Sequence, residues 1–301
     1  MKYKICSLVV CLLSCAVAAD ELYVNCGDEG DYETIQAAIN DAVNGDEIIV
    51  CPDALPYTNG PGYVMDTLGK ELWIHTSDED GDGVLDEIII SGSGLGGGIT
   101  CTSGEDSNTI IEGFTITNCS QERGAGLYCD GSSPLIIGCT FKNNVASEWG
   151  GAVYATGAAS PSFDDCGFET NLANNGGGIG IHSNSDGAVA FLVCTFENNT
   201  ADSAGGAIMD NNSGSLSLID CDFVGNTANV GGAVRVKGNL GPASFDGCRF
   251  VSNIALSAGG ATAFQTSTVD VAYCSFEQND APTGSCIRCS NNDSTSIEDS
   301  W

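Results

Sequence analysis

One sentence is written six times between Cys139 and Asn279. It reads Cys-x-Phe-x-x-Asn-x-Ala, then a few polar residues, then a glycine-rich step and a short apolar run. The copies start at Cys139, Cys166, Cys194, Cys221, Cys248 and Cys274, at steps of 27, 28, 27, 27 and 26 residues. Phe follows two after each Cys (Phe141 to Phe276), Asn five after (Asn144 to Asn279) and Ala seven after (Ala146 to Ala281). A fixed period in this range means stacked structural units, and it overrides any local reading.

The unit is not helical. No window in the repeat carries apolar residues at i, i+3, i+4 and i+7. Short alternating runs appear instead, such as Ala152-Val153-Tyr154-Ala155, Ser162-Phe163-Asp164 and Cys166-Gly167-Phe168, broken by Gly, Asn, Asp and Ser. This predicts an all-β chain with about three short strands per repeat, each repeat forming one coil of a parallel β-helix. Coils stacked at about 4.8 Å put equivalent residues directly above one another. Phe then forms an inward aromatic column. Asn forms an amide ladder at a turn, and Gly-Gly permits close passage of one coil over the next. The Cys column points inward as small hydrophobes. Vertical neighbours at about 4.8 Å sit outside the usual disulfide range of roughly 3.5–4.5 Å between Cβ atoms.

Charge narrows the partners. The chain has 301 residues, with 9 Lys+Arg against 40 Asp+Glu, a net charge of −31. Such a surface repels nucleic acid and anionic membranes. Lys2 and Lys4 precede an apolar run from Ile5 to Leu13, and Ala16-Val17-Ala18-Ala19 offers a small-residue cleavage site, so residues 1–19 read as a signal peptide for a secreted or cell-surface protein. Leu12-Leu13-Ser14-Cys15 is the competing lipoprotein reading. Loss of the two leader lysines takes the charge from −31 to −33. No later apolar run reaches transmembrane length. Of 16 cysteines, Cys6, Cys11 and Cys15 leave with the leader. The remaining odd number implies at least one free thiol or intermolecular bond. Cys26 and Cys51 flank the first segment as a pair available for bridging. Cys286 and Cys289 form a Cys-x-x-Cys without a second ligand pair.

In chain order, residues 20–50 read as an N-terminal cap. Glu21–Val24 is a strand, Tyr32–Val43 an amphipathic helix with Asp31 as N-cap, and Glu47–Val50 a strand. A solenoid needs its end covered, because otherwise apolar core and unpaired backbone meet water. Residues 51–108 form irregular first coils, with strands at Glu71–His75 and Glu87–Ile90. Between these strands lies the acidic loop 78–86, DEDGDGVLD. Asp78, Asp80 and Asp82 alternate, Gly83 follows at position six and Asp86 stands at position nine, as in the first part of a calcium loop. Ile89 stands where the bidentate Glu would be, so the pattern resembles the shorter thrombospondin type 3 and dockerin-like calcium repeats. A bound Ca²⁺ there is structural; the plainer reading is a solvated turn. Regular repeats occupy 109–301. Their first coil is degenerate, with Phe114 in the Cys register, Ile116 in the Phe register and Cys119 in the Asn register. The end at Trp301 looks mid-coil, which predicts a longer natural protein or a paired last edge.

The alternation of Gly-Gly-Ala-(Ile/Val) with Cys-x-Phe-x-x-Asn resembles the repeats of polymorphic outer-membrane proteins. It also resembles the wider right-handed parallel β-helix, pectin-lyase-like superfamily. That resemblance covers roughly residues 20–301 and implies a right-handed β-helix. Superfamily members include adhesins, tail spikes, lyases and glycoside hydrolases, whose enzymes work on the outer face of one sheet. If Val153, Ile179, Ile181, Val234 and Val236 point inward, then Tyr128, Tyr154, His182, Met209, Arg235, Lys237 and Arg288 share an outer face. Tyr128, Tyr154, His182, Arg235 and Lys237 are therefore the candidate carbohydrate-binding residues. Catalysis needs paired carboxylates or acids beside a base. Asp164-Asp165 is a single acidic pair in a turn, and His75 and His182 lie in no recognisable triad. The sequence thus reads as a non-catalytic extracellular scaffold or adhesin-like protein meeting polysaccharide or matrix components. The alternative is a carbohydrate-binding or cleaving protein. No Thr column supports ice or mineral binding.

The acidic loop yields the first test. A calcium site there raises the melting temperature of the mature chain by mass action, about 2.7 kcal/mol at a hundredfold excess over Kd. Chelator or Asp80→Ala plus Asp82→Ala removes that rise. A melting temperature indifferent to calcium reduces the loop to a solvated turn.

Overall fold

A single residue in the left-handed region turns the chain at each bend, and this sets the shape of every coil. In the coil beginning at Leu135, Gly138 (φ 56°) and Asn143 (φ 57°) separate the strands Leu135–Ile137, Thr140–Lys142 and Val145–Trp149. Gly150 (φ 61°) then leads to a fourth strand, Val153–Thr156. The computed structural model describes residues 19–27, 32–53, 55–78, 85–182, 187–211, 213–291 and 294–300. The leader up to residue 18, Asp31, Asp80 and Asp82 lie outside them.

From the coil with Ser120–Arg123 to the coil with Ile254–Ala258, each coil therefore holds four strands, not the expected three. The coils stack into four parallel sheets of 11, 8, 6 and 9 strands, here called first to fourth in the order a coil visits them. The extra strand, such as Leu172–Asn175, was hidden because only Ala173 points in, while Leu172 and Asn174 face water. The third sheet begins at Ser120–Arg123, so the coils before it are the irregular ones. The degenerate coil stacks in the expected register: Ile116 pairs with Phe141, and the Cys119 amide donates to Asn144 Oδ1 at 3.0 Å.

Inside, the columns do what the repeat predicts. Phe141, Phe168, Phe196, Phe223, Phe250 and Phe276 stack with centroids 5.3, 4.8, 4.6, 4.7 and 5.0 Å apart. Their planes lie within 2° to 10° of parallel. Phe163 and Phe191 from the first sheet meet this column edge-on at 5.6 and 5.4 Å. Each ladder Asn is buried and locks three coils together. Asn226 Nδ2 donates to Phe196 O at 2.9 Å and to Asn253 Oδ1 at 3.0 Å. Its Oδ1 accepts from the Asn199 backbone amide at 3.0 Å and from Asn199 Nδ2 at 3.1 Å. The Cys column is inward and unbridged from Cys139 to Cys274. Cys166 Sγ donates to the carbonyls of Asp164 (3.3 Å) and Ile136 (3.5 Å). Gly-Gly is required by contact: a Cβ on Gly151 would lie 2.4 Å from the Gly177 carbonyl of the next coil.

Cys26 and Cys51 form a disulfide between adjacent coils, with Cα atoms 5.1 Å apart. They are offset by one residue from strict vertical stacking, since Val24 pairs with Val50. The helix is Ile35–Asp41, shorter than expected, and buries Ile35, Ala38 and Ile39 against the first coils. Thr34 caps it, accepting from the Ala37 amide at 3.1 Å, while Tyr32 forms a bridge with Val24. At the other end Lys70 Nζ donates to the carbonyls of Ile39, Asn40 and Ala42, satisfying groups the helix leaves open. Glu105 secures the early coils. It is 3% exposed and accepts from Thr67 Oγ1, Ser132 Oγ and the amides of Gly69 and Ser103. Burial raises its pKa, but hydrogen bonds from Ser132, Thr67 and the amides of Glu105 and Ser103 outweigh it and hold the carboxyl below its ordinary value.

Asn226→Ala strands the Phe196 carbonyl and two neighbouring side-chain amides in a dry core. Loss of about 3 kcal/mol of unfolding free energy is expected in urea titration. Asn229→Ala, at an exposed position, changes stability by no more than about 0.5 kcal/mol. Equal effects from the two would rule out the ladder as the vertical clamp.

Candidate functional site

The third and fourth sheets meet at the Gly-Gly bend, and their outer faces form a re-entrant corner. Strand register decides which side chains line it. On the fourth sheet, Tyr128, Tyr154, Gly180, Met209, Arg235, Ala263 and Arg288 share one outward register. Thr156, His182, Asn211, Lys237, Gln265 and Ser290 share the next. Val153, Ile179, Ile181, Val234 and Val236 are all buried inside. The five candidate residues thus lie on one sheet face in two neighbouring registers.

They do not all meet solvent. Tyr154 is 2% exposed although it points out of the solenoid. Arg123 lies 5.8 Å above its ring, Tyr128 is 5.7 Å away and Trp149 6.4 Å away, all between centroids except the guanidinium carbon of Arg123. Arg123 is itself held by Glu148 Oε2 at 2.6 and 2.9 Å, and that contact raises the guanidinium pKa. Tyr154 therefore supports the surface, while Tyr128 and His182 are half-buried and reachable.

Trp149 was missed in the sequence. It ends the third-sheet strand just before Gly150, and its ring centroid lies 5.1 Å from that of His182. The only signal was its place immediately before Gly-Gly, a position taken by Asn175, Ala204, Val230 and Ala258 in later coils. Next to it runs a groove of about 310 Å³. Met209, Arg235 and Lys237 form its floor, with Trp149, Asn175 and Asn229 along its wall. A wider depression of about 590 Å³ lies at Ser91, Asn118, Ser120 and Asn143, but no charged side chain lines it. The groove at Arg235 is therefore the candidate site. Arg235 donates to Gln265 Oε1, which fixes its direction. Partial burial lowers its pKa, and Arg288 adds to that.

The other candidates fall elsewhere. Asp164 and Asp165 lie at the bend between the first and second sheets, Asp165 being the turning residue (φ 52°). His75 bonds Glu47 Oε1 at 2.8 Å and stacks on Trp73 at 4.3 Å. Asp86 accepts from Ser77 Oγ at 2.8 Å. With Asp80 and Asp82 outside the described residues, no group of three or more metal-type ligands occurs among the described ones. Cys286 and Cys289 take the registers of Ala152 and Ala155 and are exposed on the last coil.

Beneath the groove floor lies a buried carboxyl group. Asp210 occupies an inward register held by Ile181 and Val236 in the adjacent coils. It is fully buried, with Asn239 Nδ2 at 2.5 Å and Ser213 Oγ at 2.8 Å. Asp210 Oδ1 and Asn239 Oδ1 find no donor among the described residues. Burial pushes the carboxyl up to about 6, against the lowering effect of Asn239 and Ser213. A proton on Asp210 supplies a donor where two buried acceptors lack one.

Residues 138–156 and 193–209 match the Chlamydia polymorphic membrane protein repeat. Both stretches run from the bend after the first sheet into the fourth-sheet strand, so the match falls on the segment that carries the Cys, Phe, Asn and Gly columns. No curated protein and no solved structure matches the chain significantly.

The raised Asp210 pKa fixes a pH dependence. The folded state holds the proton more tightly than the unfolded chain, so this contribution to stability is fully present below about 3.9 and is lost as pH rises through about 6. Its size is about 3 kcal/mol. Asp210→Asn carries a permanent donor, so its stability at pH 8 exceeds that of the parent, and the difference shrinks as pH falls to 5. Parallel stability–pH curves for the two chains would exclude this role for Asp210.

Proposed function

We propose that this chain, a parallel β-helix built of polymorphic-membrane-protein-type repeats, is displayed at a cell surface as a non-catalytic recognition scaffold. The observation that carries the reading is the coincidence of the matched repeat with the self-stacking columns. The segment shared with that membrane-protein repeat is the one that makes a stiff rod and leaves its outer faces free to vary. An acidic rod stays soluble and resists nonspecific association. No helix among the described residues is long and apolar enough to cross a membrane.

Recognition is favoured over cleavage by what lines the corner. Glycoside hydrolysis uses two carboxyl groups about 5–9.5 Å apart. The outward registers of the five consecutive fourth-sheet strands from Ile179–His182 to Ile287–Ser290 hold no Asp or Glu. A calcium ion at the acidic loop 78–86 would act as a structural pin rather than a catalytic one.

Surface display is tested on intact cells that produce the full chain. Antibody to the regular coils is expected to label unpermeabilised cells, and added protease to remove the epitope without lysis. Labelling that appears only after the cells are opened would exclude the reading.

A further inference from the structure

The chain carries only 9 Lys and Arg, and three of them are engaged within the fold. Lys70 is spent on helix carbonyls, Arg123 on Glu148 and Arg249 on Asp222 at 3.1 Å. Among the described residues, no carboxylate pairs with Arg235, Lys237 or Arg288. All three lie on the outer face of the fourth sheet; the remaining unpaired cation, Lys142, lies on the second sheet. In a chain of net charge −31, these five consecutive strands present three bases and no acid outward. Arg235 and Arg288 are separated by a single intervening coil, so they stand about 10 Å apart at two rung spacings. Burial lowers the Arg235 pKa first, and the nearby Arg288 charge adds to that.

Like charges held on one face without a partner repel one another, and an anion that shares the site relieves that repulsion. We propose that the groove at Arg235 and Lys237, continued along the same sheet face to Arg288, binds an anionic glycan, a chain whose carboxylate or sulfate groups are spaced along neutral sugar rings. This rests on the surface-recognition reading above and gives it a ligand class.

The lining favours a glycan among anions. Arg235, aimed by Gln265, offers a planar fork suited to carboxylate or sulfate. Lys237 is exposed and supplies a mobile point charge one register away. Asn175, Asn211 and Asn229 line the same groove with neutral donors and acceptors suited to hydroxyl groups. Trp149, beside His182, gives an apolar ring at the edge, on which the C–H face of a sugar can rest. The strands are parallel and in register, so a linear ligand laid across the coils meets bases on alternate rungs, at Arg235 and Arg288. A nucleic acid, with charge at every nucleotide, would run out of this short basic stretch onto acidic surface.

The test passes the purified full chain over heparin, polygalacturonate and neutral dextran at low salt. Retention on at least one anionic matrix, release by added salt and flow-through on dextran are expected. Retention on heparin alone assigns a sulfated ligand, on polygalacturonate alone a carboxylated one. Arg235→Gln, Lys237→Gln and Arg288→Gln together are expected to abolish retention, and each single change to weaken binding about tenfold. Lys142→Gln leaves it unchanged. If the triple variant lacks a normal melting transition, the exposed Lys237→Glu replaces it and must still weaken binding. Flow-through of the parent on both anionic matrices would overturn the proposal, as would retention that these substitutions do not change. Either result leaves surface display standing, because labelling of intact cells is read independently.

Discussion

The Asn ladder is the interaction on which the rest of the solenoid depends. A bend between two strands leaves backbone groups without sheet partners inside the fold, and such groups are costly when dry. One buried carboxamide per coil answers three needs at once. It satisfies the Phe-position carbonyl of the coil before, the amide at that coil's own bend, and the carboxamide of the coil after. Every rung repeats the arrangement, so the ladder fixes coil length and vertical register together. The Phe column can stack at 4.6 to 5.3 Å only because that register is held.

Rigidity inside releases the outside. Positions that face water need only keep the alternation of a strand, so coils differ freely there: Tyr154, Gly180, Met209, Arg235 and Ala263 occupy one register in succession. The corner between the third and fourth sheets is concave because Gly150 and its counterparts bend sharply there with no side chain. A Cβ at Gly150 would lie 1.9 Å from the Val153 carbonyl. The same glycines that let one coil pass over another therefore open the groove. Asp210 sits directly under that floor, between the outward Met209 and Asn211, so this buried carboxyl is attached to groove residues by the backbone.

Much of this was legible beforehand. The Cys, Phe and Asn columns, the inward valines and isoleucines and even the displaced register of Phe114, Ile116 and Cys119 follow from period and alternation. Four strands instead of three was not legible, because strands such as Leu172–Asn175 bury a single alanine and look like turn. Trp149 and the burial of Tyr154 were not legible either. Each depends on where a residue of the third sheet lands against the fourth, and pattern within one strand carries no information about that.

The sequence by itself determined that this chain is a stacked parallel β-helix. A period of about 27 residues leaves no other way to bury its Phe and satisfy its Asn. It also determined the acidic surface and the face on which Tyr128, Tyr154, His182, Arg235 and Lys237 lie. Only the tertiary structure decided which cations remain unpaired, which aromatic is covered, and that a groove forms beside Arg235. Those properties arise from contacts between side chains 25 to 30 residues apart, such as Arg123 with Glu148 and Arg235 with Gln265. Vertical stacking creates such neighbours, and the fold that stacks them had to be built before they existed.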